Sequence, residues 1–153
     1  SPMSRGLGDV YKRQGSVWRV TVGAPADITA EVVAASPLDA APREGVVYVG
    51  FAVEMTLLSA DKEPLAPGLN FVWEVLGGDS RLAYRPGLLD TGATLFACSS
   101  LPDGFDAIDE VFVGGTLAGR VCMAVPESDL DHPATQIAMH HFADTRVVFG
   151  PTG

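Results

Sequence analysis

Apolar residues recur at every second position along this chain, in short runs broken by glycine, proline and aspartate. The longest run places Val47, Val49, Phe51, Val53, Met55 and Leu57 on one face, with Tyr48, Glu54 and Thr56 opposite. Successive side chains leave a strand on opposite sides, so six apolar residues in strict alternation predict a β-strand with one face in a core. The same period predicts strands at Trp18, Val20 and Val22, and at Ile28, Ala30, Val32 and Ala34, separated by Gly23-Ala24-Pro25. After a loop at Ser59 to Gly68, Phe71, Trp73 and Val75 face one way and Val72, Glu74 and Leu76 the other, up to a turn at Gly77-Gly78-Asp79-Ser80.

Further short strands are expected at Leu82 to Tyr84 and at Ala93 to Cys98. Leu101 to Glu110 reads as a loop with one helical turn at Ala107 to Glu110, and a long strand is expected from Val111 to Pro126. In that strand Leu117, Val121, Met123 and Val125 share the apolar face, so Cys122 points the other way with Arg120 and Thr116, unless a bulge at Gly119 shifts the register. A loop at Glu127 to Pro133 and a hairpin of Gln136 to Phe142 with Arg146 to Phe149 around Ala143-Asp144-Thr145 complete the pattern. Eight or nine short strands without a sustained helical period predict an all-β fold, an antiparallel sandwich. Nothing marks an internal repeat or a second domain.

Composition narrows the partners. The chain carries 10 basic and 19 acidic residues, a net charge of −9. Residues 1–14, with the match running through all of Met3 to Gln14, closely resemble the read-through translation of a sequencing adapter on a truncated gene fragment, and are expected to be non-native, disordered and outside the fold. Setting aside their Arg5, Lys12, Arg13 and Asp9 leaves 7 basic and 18 acidic residues, a net charge of −11 in a single domain spanning 15–153. Such a surface repels phosphate backbones and anionic lipid, which argues against nucleic acid as a partner. No apolar run approaches the roughly 20 residues of a membrane-spanning helix. Cys98 and Cys122, 24 positions apart, fit either one disulfide or two buried thiols.

Three segments carry a resemblance: Trp18-Arg19-Val20-Thr21-Val22, Pro42 to Thr56, and Val113-Gly114-Gly115 through Val125-Pro126. In their spacing, glycines and Val-Pro ending they are similar to the immunoglobulin-like domain of unknown function carried by many secreted bacterial lipoproteins, which is akin to a secreted mycobacterial immunogenic antigen. The resemblance covers roughly residues 17–149. It implies an immunoglobulin-like β-sandwich of about eight strands, exported or held by a lipid anchor N-terminal to the domain, without established enzymatic activity and with no cofactor. The implied role is a binding or interaction module whose partner is an unidentified protein or cell-envelope component. It also favours a Cys98–Cys122 disulfide, worth roughly 3–4 kcal/mol for a loop of this size. By the parity of its strand, that bridge is expected to brace the outside of a sheet and pin the acidic loop, leaving the core to Phe51, Trp73 and their neighbours.

Other candidate chemistry is thinner. Asp90-Thr91-Gly92 matches the turn in which aspartic proteases hold a carboxylate, and a single copy would need a dimer to supply the second. The downstream Leu117-Ala118-Gly119-Arg120 follows too soon for that family's later segment, and Asp, Thr and Gly suit an ordinary β-turn. Asp103, Asp106, Asp109 and Glu110 are weak candidates for a calcium site, although their spacing lacks the alternate oxygens around a central glycine. His140 and His141 leave opposite faces of one strand, and His132 lies in a loop, so satisfied surface or half-buried histidines are expected rather than metal ligands.

Overall fold

A computed structural model describes residues 9–13, 15–36, 41–67, 71–86, 97–105, 109–140 and 146–149. Two antiparallel sheets pack face to face. The first contains β1 (Asp9–Arg13), β2 (Ser16–Val22), β3 (Ala26–Asp27), β4 (Val46–Ala60) and β7 (Thr116–Pro126). The second has the order β6 (Ala83–Tyr84), β5 (Val72–Leu76), β8 (Gln136–His140), β9 (Val147–Phe149). This is the antiparallel β-sandwich the alternation predicts, in the immunoglobulin-like form the resemblance implies.

The 15-residue β4 is the spine. One edge pairs with β2 and β3, and the other with β7 from Val46↔Pro126 to Thr56↔Thr116. That last ladder runs through Gly119↔Val53 without a register shift, so the bulge entertained at Gly119 is not present. The alternate residues of β4 from Val47 to Leu57 all enter the core, where they meet Val121, Met123 and Val125 of β7 and Trp73, Val75, Ile137, Met139 and Phe149 of the second sheet. Trp73 is the hub of that interior. Its ring lies 5.9 Å from both Phe51 and Phe149, and 6.5 Å from Phe105, edge-on to Phe51 and Phe105 and tilted against Phe149, a range in which aromatic pairs add to the gain from burial.

Four expectations need correction. Residues expected as a strand at Ile28 to Ala35 form a helix, α1 (Thr29–Ala35). Ile28 and Val32 satisfy both the two-residue and the four-residue period, and a window this short does not separate them. Local chemistry decides for the helix. Asp27 Oδ1 accepts bonds from Thr29 N at 2.9 Å and from Thr29 Oγ1 at 2.6 Å, Thr29 Oγ1 accepts from Tyr48 N at 2.9 Å, and alanine at 30, 34 and 35 favours the helical state. Gly50 of β4 admits the helix entrance, because a Cβ there would collide with Ile28 Cδ1.

The long strand from Val111 shortens to β7. Val111 instead bridges Leu65, and Gly114, at φ 93°, turns the chain back through Gly115 before Thr116 begins the ladder. The loop after Pro126 contains a helical turn, α2 (Glu127–Leu130). Finally, Asp9–Arg13 are not outside the fold: they form β1, paired from Val10↔Arg19 to Arg13↔Ser16 across a turn at Gly15. An unpaired β2 edge and the β-forming Val10 and Tyr11 account for that pairing. The strand expected at Ala93 to Cys98 falls mostly outside the described residues, and Cys98 itself opens a 3-10 helix, Cys98–Ser100.

Candidate functional site

On the outer face of the second sheet, β5 turns Val72, Glu74 and Leu76 away from the core, opposite His140, Ala138 and Gln136 of β8. Glu74 is fully buried there, although it faces away from the sandwich interior. Two arginines cover it. Arg85, just after β6, places Nε 2.9 Å from Oε2; Arg146, just before β9, places Nε 2.6 Å from Oε1 and Nη2 3.4 Å from Oε2. Burial pushes the Glu74 carboxyl up, the bonds from Arg146 and Arg85 pull it down, and the balance leaves it below its ordinary value. The carboxylate is therefore charged and held by half-exposed guanidiniums whose stems shield it from water.

His140 lies beside this pair. Its Nε2 is buried, 3.6 Å from Glu74 Oε1, and has no hydrogen-bond partner among the described residues. The expected satisfied histidine is thus corrected: cross-strand pairing with Val72 buries the ring, and Glu74 is already saturated by arginine.

Next to the arginines lies an open cleft of about 550 Å³. Leu76, Leu82, Ala83 and Ala134 supply its apolar lining, and Gln136, Arg81 and Arg146 its polar lining. Arg81 has φ 65°, in the left-handed region that non-glycine residues seldom occupy.

The turn before Arg81 is fixed by another buried carboxylate. Asp129 of α2 accepts bonds from Asp79 N at 2.9 Å, Ser80 N at 2.8 Å and Ser80 Oγ at 2.6 Å. Burial acts to raise the Asp129 carboxyl, but these donors leave it below its ordinary value. Here glycine is a steric requirement, since a Cβ on Gly77 would lie 2.5 Å from the Asp129 carboxylate. Gly77→Ala is expected to destabilise the domain by about 1–3 kcal/mol, as overpacking does, read as a lower urea midpoint at unchanged m-value.

The first sheet's outer face holds a second, smaller apolar cluster of Val32, Tyr48, Ala97, Leu101 and Cys122, with Ile28, Cys98 and Ala124 against it. The Cys98–Cys122 disulfide is formed within it, on the face of β7 opposite Val121 and Met123. The parity expectation holds, and α1 and the 3-10 helix are what cover the bridge. Nearby, Arg120 clamps Asp103 with Nε at 2.7 Å and Nη2 at 2.8 Å and also pairs with Glu31 of α1. Hydrogen bonding from Arg120 holds Asp103 below the usual carboxylate range.

Asp103, considered for calcium, therefore faces a cation. Asp109 and Glu110 are exposed, and Asp106 lies outside the described residues. Asp90, Thr91 and Gly92 lie outside them too, as does His141. His132 Nδ1 accepts a bond from Ala134 N at 3.1 Å. Among the described residues, no three His, Cys, Asp or Glu side chains converge as a metal set. Sequence reasoning missed Glu74, Arg81, Arg85 and Arg146. The available signal was a glutamate on the non-core side of a core strand, in a chain with few cations to neutralise it.

No family model matches the chain, and a search of curated proteins returns no match. Among solved structures, a secreted protein of Mycobacterium tuberculosis, MPT63, is similar with a TM-score of 0.58 at 13% identity, over 95% of this chain and 93% of that one. A conserved hypothetical protein of Bacillus anthracis is similar with a TM-score of 0.50 at 10% identity, over 95% and 94% of the two chains. At these identities the likeness is one of fold, and it spans nearly the whole of each chain.

Proposed function

We propose that this chain is a non-catalytic extracytoplasmic module that binds a protein or a cell-envelope component, either secreted or held at the surface by a lipid anchor. The observation carrying this reading is the Cys98–Cys122 disulfide, in a fold shared with a secreted protein. Disulfides persist in oxidising compartments and are rare where thiols are kept reduced. The buried carboxylates support the non-catalytic half of the reading. Glu74 is saturated by two arginines and Asp129 by the turn at Asp79 and Ser80, so both hold structure.

Cell fractionation with thiol trapping tests the compartment. The protein is expected outside the cytoplasm, with both cysteines resistant to alkylation until reduced. Recovery from the cytosol with two reactive thiols would overturn the reading. Pepstatin-sensitive proteolysis at acid pH, lost in Asp90→Asn, would overturn its non-catalytic half.

A further inference from the structure

Cations are scarce in this chain, and they are unevenly placed. Of the seven lysines and arginines that follow residue 14, Arg81, Arg85 and Arg146 gather at the outer face of the second sheet. The cleft between β5, β6 and β8 is lined by two of them and, among the described residues, by no carboxylate. Arg146 enters already oriented: Nε and Nη2 are turned to Glu74, and Nη1 has no partner among the described residues. Arg81 differs in that its guanidinium forms no bond or ion pair among the described residues, while its backbone is left-handed and its N–H donates to Gly77 O at 3.0 Å. A left-handed arginine persists only where the surroundings impose it, and such positions cluster at ligand sites.

We propose that this cleft binds an organic carboxylate with a short apolar body, its carboxylate taken by Arg81 and Arg146 and its body lying on Leu76, Leu82 and Ala134. Guanidinium matches carboxylate in shape as well as charge. The volume of about 550 Å³ lies inside the range of about 300–1,000 Å³ usual for small-molecule sites. The apolar lining, including a Leu82 side chain left 59% exposed, disfavours a fully hydrated anion such as phosphate. This deepens the binding-module reading and rests on it, but does not depend on the compartment.

The test is an NMR titration of the full chain, following the amides of Gly77, Gly78, Arg81 and Ala134 and the Arg146 Nε–H. Octanoate is expected to shift them saturably; octan-1-ol, acetate and inorganic phosphate at equal concentration are not. N-acetyl-Leu-Leu as the free acid and as its amide separates a peptide terminus from a free fatty-type acid as the source of the carboxylate, the tighter acid naming the source. Arg81→Asn removes the charge with a residue that tolerates the left-handed backbone, so the fold is retained. It is expected to weaken octanoate by about tenfold, the worth of one charge-assisted contact, with the melting temperature unchanged or raised. Equal binding of octanol and octanoate, unchanged affinity in Arg81→Asn, or no saturation below about 10 mM, the weak limit for so small a ligand, would overturn the proposal. Because the titration is done on purified protein, its failure leaves the compartment reading standing.

Discussion

Replacing Arg85 and Arg146 together by methionine is expected to destabilise the domain by about 3–5 kcal/mol at neutral pH, the usual result of stripping a buried charge of its partners. Methionine keeps an apolar cover over Glu74 while removing both cations, so water does not take their place. The alanine pair should cost less, because it opens a path for water to a carboxylate that the arginine stems now shield. Adding Glu74→Met to the methionine pair should return most of the loss, since a packed apolar trio needs no charge balance. Denaturant unfolding of these variants measures each step. A methionine pair within about 1 kcal/mol of the parent, the size of an ordinary surface ion pair, would show that Glu74 does not depend on its arginines.

The same variants differ in their pH dependence. In the parent the folded Glu74 carboxyl lies below its ordinary value of 4.5. Its contribution is therefore fully present above that value and is lost as pH falls through the folded one. Without arginine, burial is left as the dominant influence and the folded carboxyl rises above the unfolded one. The sign then inverts: the unfolded chain releases its proton first, and stability falls as pH rises through the range between the two values. Unfolding curves from pH 4 to pH 8 separate the two slopes.

What the sequence made legible is what parity controls. Side-chain alternation in β4, β5 and β7 located the core, assigned Cys122 to the far side of its sheet and left Phe51 and Trp73 inside. Alternation does not say what lies over the far side. Helix α1 was hidden because Ile28 and Val32 fit two periods at once, and its choice of helix rests on Asp27, Thr29 and the space left by Gly50. The candidate site was hidden for a different reason. Glu74, Arg81, Arg85 and Arg146 span 72 positions between the first and last, and no local pattern links them. They meet because β5 pairs with β8, and β9 follows β8 in the same sheet. The motifs that did look chemical, Asp90-Thr91-Gly92 and the acidic residues from Asp103 to Glu110, are local strings whose composition suits turns equally well.

Removing the disulfide in a Cys98→Ala, Cys122→Ala double variant is expected to cost about 3–4 kcal/mol, the chain-entropy value for a loop of this length. The loss should be distributed unevenly. Cys122 shares its cluster with Val32, Tyr48, Ala97 and Leu101, whereas Val121 and Met123 on either side of it face the main core. The bridge ties the 3-10 helix to β7, and α1 packs on the same cluster. Native-state hydrogen exchange should therefore quicken most at Val32 N and Leu101 N, bonded to Ile28 O and Cys98 O respectively. Protection along the Val121 to Val125 ladder should fall only by the global loss. Equal loss of protection in the ladder and in α1 would mean that the bridge supports both faces of β7 alike. In that case the separation of the outer cluster from the main core would be wrong, because a single cooperative unit would span both faces of β7.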